Sequence, residues 1–264
     1  MQDTITKAAQ LFDLTGEVAL VTGASAGLGR RFARVLAAHG ASVVLAARRR
    51  ERLDRLAEEI AADGGRSHGV ALDVTDRAGI AAAFDAAERA FGTVTVLVNN
   101  AGISGALKRG LELSEDEWRA LMAVNLDAVW FVSQEAARRM VAAGKPGAIV
   151  NIASILGFRV GRNLAPYAVA KAGVVQMTCA LALDLARHDI RVNAIAPGYI
   201  VTEMNEEFFS SPAGDAMRQR IPQRRTGEPG DLDAALLLLA SRRASGFMTG
   251  STVVVDGGHM LSMG

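Results

Sequence analysis

One cysteine, Cys179, is the chain's whole supply of thiol, so no internal disulfide can form, which fits a reducing, cytoplasmic compartment. Its place in the apolar run Val174–Leu183 predicts a buried packing role. Charge of one sign is also lacking. With a formal net charge of +1 the chain offers no electrostatic reason to bind nucleic acid or an anionic membrane. Its histidines, His39, His68, His188 and His259, share no metal-ligand spacing, so no metal site is expected. The apolar stretches read as too short for the roughly 18 residues of a membrane span. Met1 to Phe12 has neither a basic start nor an apolar core and does not read as a secretory signal. No repeat, low-complexity tract or Pro/Gly/Ser linker divides the chain.

What is present is an alternation. The 264 residues are 50% hydrophobic, enough for one large α/β domain over residues 1–264. Short apolar runs at Val18–Val21, Ser42–Ala46, Gly69–Leu72, Thr95–Val98, Ala148–Ile152, Arg191–Ile195 and Thr252–Val255 predict about seven strands. Helical spacing falls between them at Gly27–His39, Arg50–Ala62, Arg77–Phe91, Ser114–Val141, Tyr167–Arg187 and Asp231–Leu239. Continuous Val/Ile/Leu strands separated by helices predict a doubly wound parallel sheet of the Rossmann type, with helices on both faces. The stretch 203–229 has no clear periodicity and is expected to be a substrate lid.

The first strand runs into Thr22-Gly23-Ala-Ser25-Ala26-Gly27-Leu28-Gly29 and then a helix. Glycine lets the backbone approach a pyrophosphate, and the helix N-terminus offers free N–H groups and the positive end of its dipole. The spacing is G-x-x-x-G-x-G, so the commoner G-x-G-x-x-G fingerprint is not met; the strand-to-helix context still points to a dinucleotide. The second strand should end near Ala47, where an NAD site places an acid on the ribose 2′-hydroxyl. Here Arg48, Arg49 and Arg50 follow instead. A guanidinium attracts a 2′-phosphate that an acid would repel, so NADP is expected over NAD, with Arg48 at the recognition point. Arg49 and Arg50 fit equally well as the solvated start of the next helix.

Tyr167 and Lys171 stand four residues apart and so share one helix face. A nearby cation favours the phenolate and lowers a tyrosine pKa from about 10, as proton transfer near neutral pH requires. Ser154 lies upstream, at the end of a predicted strand; alone it could simply satisfy local backbone. Ser114-Glu-Asp-Glu117 is a capping box opening a helix whose apolar stripe includes Asn125. A buried amide must find partners, so Asn125 is either a satisfied structural residue or part of a polar network. The network is favoured.

With Thr22–Gly29, Asp73-Val74, Asn99-Asn100-Ala101-Gly102, Asn125, Ser154, Tyr167, Lys171, Asn193, Pro197-Gly198 and Asp256-Gly257-Gly258 in this order, the chain resembles the short-chain dehydrogenase/reductase family in its compact, single-domain form. The subgroup most resembled is that of β-ketoacyl carrier-protein reductases and related ketone reductases. The resemblance implies Tyr167 as general acid/base, Lys171 as the group that lowers its pKa and binds the nicotinamide ribose, Ser154 on the carbonyl oxygen, and Asn125 anchoring a water. It implies Gly23, Ser25, Ala26, Gly27, Leu28, Gly29, Asp73, Val74, Asn100, Ala101 and Gly102 on the adenosine and pyrophosphate, and Pro197, Gly198, Ile200 and Thr202 beside the nicotinamide.

The expected function is therefore NADP(H)-dependent interconversion of a ketone and a secondary alcohol. Ile155, Leu156, Phe158, Leu164, Tyr199, Met204, Phe208 and Phe209 are expected to line the substrate pocket with Ser154, suggesting a largely apolar ketone. A catalytically inactive dinucleotide sensor or scaffold is the alternative from another class; such proteins typically lose the tyrosine or the lysine. A homotetramer is implied by the resemblance, and the helices beginning near Ser114 and Tyr167 are apolar on more than one face.

Overall fold

The computed structural model describes residues 6–203 and 205–262; Met204 and Met263 lie outside the described residues. Seven parallel strands form one sheet in the order β3-β2-β1-β4-β5-β6-β7. They are β1 Val18–Thr22, β2 Ser42–Ala47, β3 Arg66–Ala71, β4 Val96–Asn99, β5 Gly147–Ile152, β6 Ile190–Pro197 and β7 Thr252–Val255. The helices, in chain order, are α1 Ala8–Leu11, α2 Gly27–Ala38, α3 Arg50–Ala62, α4 Arg77–Phe91, α5 Glu115–Met122, α6 Ala128–Ala142, α7 Ala165–Leu185, α8 Glu206–Phe209, α9 Pro212–Arg220, α10 Asp233–Ala240 and α11 Arg242–Ser245.

This is the doubly wound architecture expected. Strands β1, β2, β4 and β6 are buried at every position, because helices cover both faces. One face packs against Phe32, Leu36, Leu53 and Leu56 of α2 and α3 and Leu236 and Leu239 of α10. The other packs against Phe84 of α4, Val132 and Met140 of α6 and Leu181 of α7. Strand order reverses between β1 and β4, whose register pairs Leu20 with Leu97. A crevice opens beyond the carboxyl ends of strands at such a switch point.

Three local departures have physical causes. Strand β3 begins at Arg66, not Gly69, because it is the sheet edge and its first half is solvated; a period search for apolar residues detects only the buried half. The single helix expected over 114–141 is interrupted by a π-helical turn, Ala123–Asp127, centred on Asn125. The segment expected to lack periodicity folds in part, into α8 and α9, the latter capped by Ser211 and opened by Pro212.

Cys179 is exposed, contrary to expectation. Helix α7 is apolar on most sides, so hydrophobicity alone could not say which side meets the sheet; Val174, Thr178 and Leu181 do, while Cys179, Ala180 and Leu183 face outward. The same composition corrects a second expectation. The stretch Ala165–His188 is long and apolar enough to cross a membrane by length and composition, although here it lies on the sheet.

Candidate active site

The loop between β1 and α2 is shaped by contact as much as by backbone freedom. Gly23 takes φ +69°, and a Cβ on Gly29 would stand 2.3 Å from the Gly23 carbonyl oxygen and 2.5 Å from Asn100 Nδ2. Only glycine allows α2 to start this close to the strand that precedes it. Ala26 caps α2 in extended conformation without a side-chain hydrogen bond, so the N–H groups contributed by Gly27, Leu28 and Gly29 face the crevice as an anion cradle. These residues fit a dinucleotide pyrophosphate.

Thr22 joins this loop to the next strand end: its Oγ1 accepts from the backbone N–H of Asn100 (3.0 Å) and of Ala101 (3.1 Å). Asn100 Nδ2 donates back to the Thr22 carbonyl at 2.9 Å. A Cβ on Gly102 would meet Asn125 Oδ1 at 3.4 Å, so the Asn100–Gly102 segment runs between the glycine loop and the π-turn. On the opposite wall, Thr202 stands over the glycine loop, with its Cβ 3.7 Å from where a Gly27 side chain would begin. Pro197 ends β6 and Gly198 follows against Asp256, where a side chain would collide. Ile200 is buried. Asn205, which the sequence did not single out, clamps this wall: it accepts from Thr202 N–H at 2.7 Å and donates to the Ile200 carbonyl at 2.9 Å.

Three arginines follow β2, and the structure gives them different partners. Arg49 Nη2 donates to Ser25 Oγ in the glycine loop at 3.0 Å, so Arg49 also borders the 2′-phosphate position expected for Arg48 alone. Arg48 lies near Asp73, whose carboxyl is held below the ordinary range first by hydrogen bonds from Thr75 and then by the Arg48 charge. One Asp73 oxygen takes both Thr75 bonds, and Val74 beside it is buried. Arg50 pairs with Asp54 on its own helix.

Ser154, Tyr167 and Lys171 converge at the ends of β5 and α7. Ser154 Oγ accepts from Leu156 N–H at 3.1 Å and lies beside the Tyr167 phenol. Lys171 Nζ donates to the Ile152 carbonyl at 2.7 Å and sits 5.6 Å from the Tyr167 ring centroid. Burial pushes the Lys171 ammonium down to about 8. The tyrosine does not behave as the sequence implied: burial raises its pKa, the Ser154 hydroxyl opposes that rise, and the Tyr199 phenol adds to it. The ammonium points at a carbonyl, not at the phenol oxygen, so spacing on one helix face did not by itself create the expected pairing.

Asn125 is fully buried, and its amide is satisfied by one backbone residue. Oδ1 accepts from Ile103 N–H at 2.8 Å and Nδ2 donates to the Ile103 carbonyl at 2.7 Å. Among the described residues its side chain makes no hydrogen bond to Ser154, Tyr167 or Lys171. A buried network does exist nearby, but through other residues. Asn99 Nδ2 donates to Ser133 Oγ (2.8 Å) and Asn151 Oδ1 (2.9 Å), and Asn151 Nδ2 donates to Thr178 Oγ1 (3.0 Å). This ladder locks β4, β5, α6 and α7 together beneath the triad. Only the pairing register of β4 with β5 brings Asn99 opposite Asn151.

The residues expected to line the substrate pocket divide into two groups. Leu156 and Leu164 meet around Gly161, where an added Cβ would touch both. Tyr199 stands edge-on to Phe209 with ring centroids 5.8 Å apart, and Phe209 contacts Phe208 at 5.1 Å. Ile155 and Phe209 are buried, whereas Phe158 and Phe208 are exposed. A polar cavity of about 340 Å³ abuts Tyr199, but Ser154, Tyr167 and Lys171 do not line it. Among the described residues no cluster of His, Cys, Asp and Glu could hold a metal.

Residues 23–260 match a family model described as enoyl-(acyl carrier protein) reductase. The chain is 39% identical over 254 residues to gluconate 5-dehydrogenase of Gluconobacter oxydans, covering 96% of this chain and 98% of that one. It belongs to the short-chain dehydrogenase/reductase family. It is also 41% identical over 252 residues to galactitol 2-dehydrogenase (L-tagatose-forming) of Cereibacter sphaeroides, covering 94% and 97% of the two chains. The crystal structure of a gluconate 5-dehydrogenase from Burkholderia cenocepacia, in complex with NADP and tartrate, superposes with a TM-score of 0.92 at 38% identity. That comparison covers 97% of this chain and all of the other.

Proposed function

We propose that this short-chain dehydrogenase/reductase oxidises a secondary alcohol of a sugar acid or polyol to the ketone, and reduces that ketone in reverse, with NADP(H) as cofactor. The convergence of Ser154, Tyr167 and Lys171 at the mouth of the crevice that the glycine loop opens carries the reading. Bound NADP would supply the hydride acceptor or donor. Its pyrophosphate would lie on the Gly27–Gly29 N–H groups, its 2′-phosphate between Arg48, Arg49 and Ser25, and its adenine near Asp73 and Val74. Asn100, Ala101 and Gly102 would back the adenosine ribose, and Pro197, Gly198, Ile200 and Thr202 the nicotinamide.

Ser154 Oγ holds the substrate oxygen, and Tyr167 takes the hydroxyl proton in oxidation or returns it in reduction. Lys171, pushed down to about 8 by burial, remains mostly charged at neutral pH and, held on the Ile152 carbonyl, would bind the nicotinamide ribose. The Asn125 amide is occupied by Ile103, so a water linking Lys171 to solvent would rest on the backbone carbonyls of the π-turn. The apolar ketone expected from the sequence gives way to a polyol because the named relatives act on gluconate and galactitol.

The protein works as a homotetramer in the cytoplasm in this reading. Val169, Cys179, Ala180 and Leu183 make an outward apolar face on α7, and a second copy meeting it across a two-fold axis would cover both faces at once. The segment 203–229 closes over the bound substrate as a lid. NADP reduction with gluconate, galactitol and a ketone panel tests the activity. Tyr167→Phe is expected to lower kcat by at least roughly a hundredfold while leaving NADPH binding nearly intact; near-native turnover by this variant would overturn the assignment.

A further inference from the structure

The C-terminal turn is wired to the catalytic loop by one arginine. Arg159, five residues beyond Ser154, donates from Nη1 to the carbonyl oxygens of His259 (2.9 Å), Met260 (3.0 Å) and Ser262 (2.7 Å). Asp256 holds the same turn from the other side, accepting from the N–H groups of Gly258 at 2.8 Å and Met260 at 2.6 Å. Such a clasp fixes where the His259 side chain emerges. That side chain lies against Tyr199, with ring centroids 5.3 Å apart, and Tyr199 in turn stands edge-on to Phe209 on the expected substrate wall, 5.8 Å away. A path of rings thus runs from Phe208 and Phe209 through Tyr199 to His259.

His259 is an uncommitted polar group. Neither of its ring nitrogens makes a hydrogen bond among the described residues, and Nδ1 is shielded from solvent as well. Shielded Nδ1 cannot be reached from outside, so Nε2 is the ring nitrogen open to a ligand oxygen. The neighbouring charges do not cancel: Arg159 and Arg220 both act on the imidazole, against Asp256 alone. Burial, then Arg159, hold His259 below its ordinary value; Asp256 opposes them and Arg220 adds to them. A neutral imidazole with one N–H, beside an excess of one positive charge, favours an oxygen-bearing anion.

We infer that His259, positioned by the Arg159 clasp and Tyr199, is a specificity-determining residue that recognises a substrate carboxylate at the end remote from the reacting carbon. This rests on the sugar-acid and polyol reading above and narrows it to acids. The site would then discriminate an aldonic acid from the neutral polyol of the same length. The discrimination comes from hydrogen bonding to a charged group, not from shape.

The test compares D-gluconate with D-glucitol, which differ only in carboxylate against hydroxymethyl, as substrates of the full-length enzyme with NADP. The native protein should favour gluconate in kcat/KM. His259→Ala should cut the gluconate-to-glucitol ratio by about tenfold or more, mainly through KM for the acid. His259→Gln, which keeps an N–H donor and is gentler on the fold, should restore part of it. Arg159→Ala should lower the ratio as His259→Ala does, because the turn is no longer held. A ratio unmoved by His259→Ala and His259→Gln, with both substrates losing equally, would make His259 merely structural and overturn the inference. A native enzyme that oxidises glucitol as readily as gluconate overturns it while sparing the polyol reading. Native protein that binds NADPH but oxidises none of gluconate, glucitol and galactitol overturns both.

Discussion

Lys171 Nζ donates to the carbonyl oxygen of Ile152 at 2.7 Å, tying the helix that carries the tyrosine to the strand end that carries the serine. Ile152 lies two residues before Ser154, so this bond sets the distance between the two halves of the candidate site. The ammonium is held in place by backbone geometry at the cost of burying a charge.

That cost is measurable. At pH 7 the lysine is charged in both folded and unfolded protein, and the full penalty of burial is present. Between about pH 8 and its ordinary value the folded protein releases the proton while the unfolded chain keeps it. Stability therefore rises with pH across that window. Lys171→Met should be inactive yet more stable at pH 7, by up to on the order of 3 kcal/mol, less whatever the lost bond to Ile152 contributes. The advantage should shrink by pH 10. Calorimetry at the two pH values decides it, and a variant no more stable at pH 7 than the native protein would sink the idea.

Cofactor preference should reside in Arg48 and Arg49 together. Arg48→Asp removes a favourable charge and adds a repulsive one, so NADPH affinity should fall below NADH affinity. Arg49→Ala removes the donor that reaches Ser25 and should weaken NADPH by roughly tenfold with little effect on NADH. Fluorescence titration with both cofactors reads the outcome. Equal affinity for the two cofactors in the native protein would refute the assignment.

The segment 203–229 should order further when substrate and cofactor bind. Phe209 is already buried against Tyr199, whereas Phe208 is exposed, and closing over a substrate would cover it and exclude water from the hydride path. Hydrogen exchange across the segment should slow in the ternary complex. No change on forming that complex would count against a lid.

The outward face of α7 offers a fourth test. Leu183 is exposed, so Leu183→Asp should leave the subunit folded while placing a charge on the proposed two-fold contact. Light scattering at micromolar concentration should report four subunits for the native protein and fewer for the variant. A native monomer would defeat the tetramer.

Much of the architecture was legible because it is local. Strand and helix positions follow from short apolar runs and 3.6-residue spacing, and the glycines before α2 announce close backbone approach wherever they occur. The misses are of one kind. Helix α7 is apolar on most sides, so its sequence points Cys179 to the core, and only the sheet's position shows that it faces out. Asn125 was expected to join a network, but its partner is the backbone of Ile103, 22 residues earlier. The buried ladder that does form joins Asn99 to Asn151, 52 residues apart.

The parallel doubly wound sheet could be read from the sequence because its strand and helix signals are local, and the glycine run, Ser154, Tyr167 and Lys171 could be singled out because each lies within one strand–helix unit. What those side chains touch depends on how the elements pack. Packing turned the lysine toward Ile152, brought Arg49 to Ser25, and set Arg159 on the turn that carries His259, 100 residues away. Periodicity carries the direction of a side chain relative to its own element. Which element lies opposite is fixed by strand order and register, and those emerge only when the whole sheet has closed on its core.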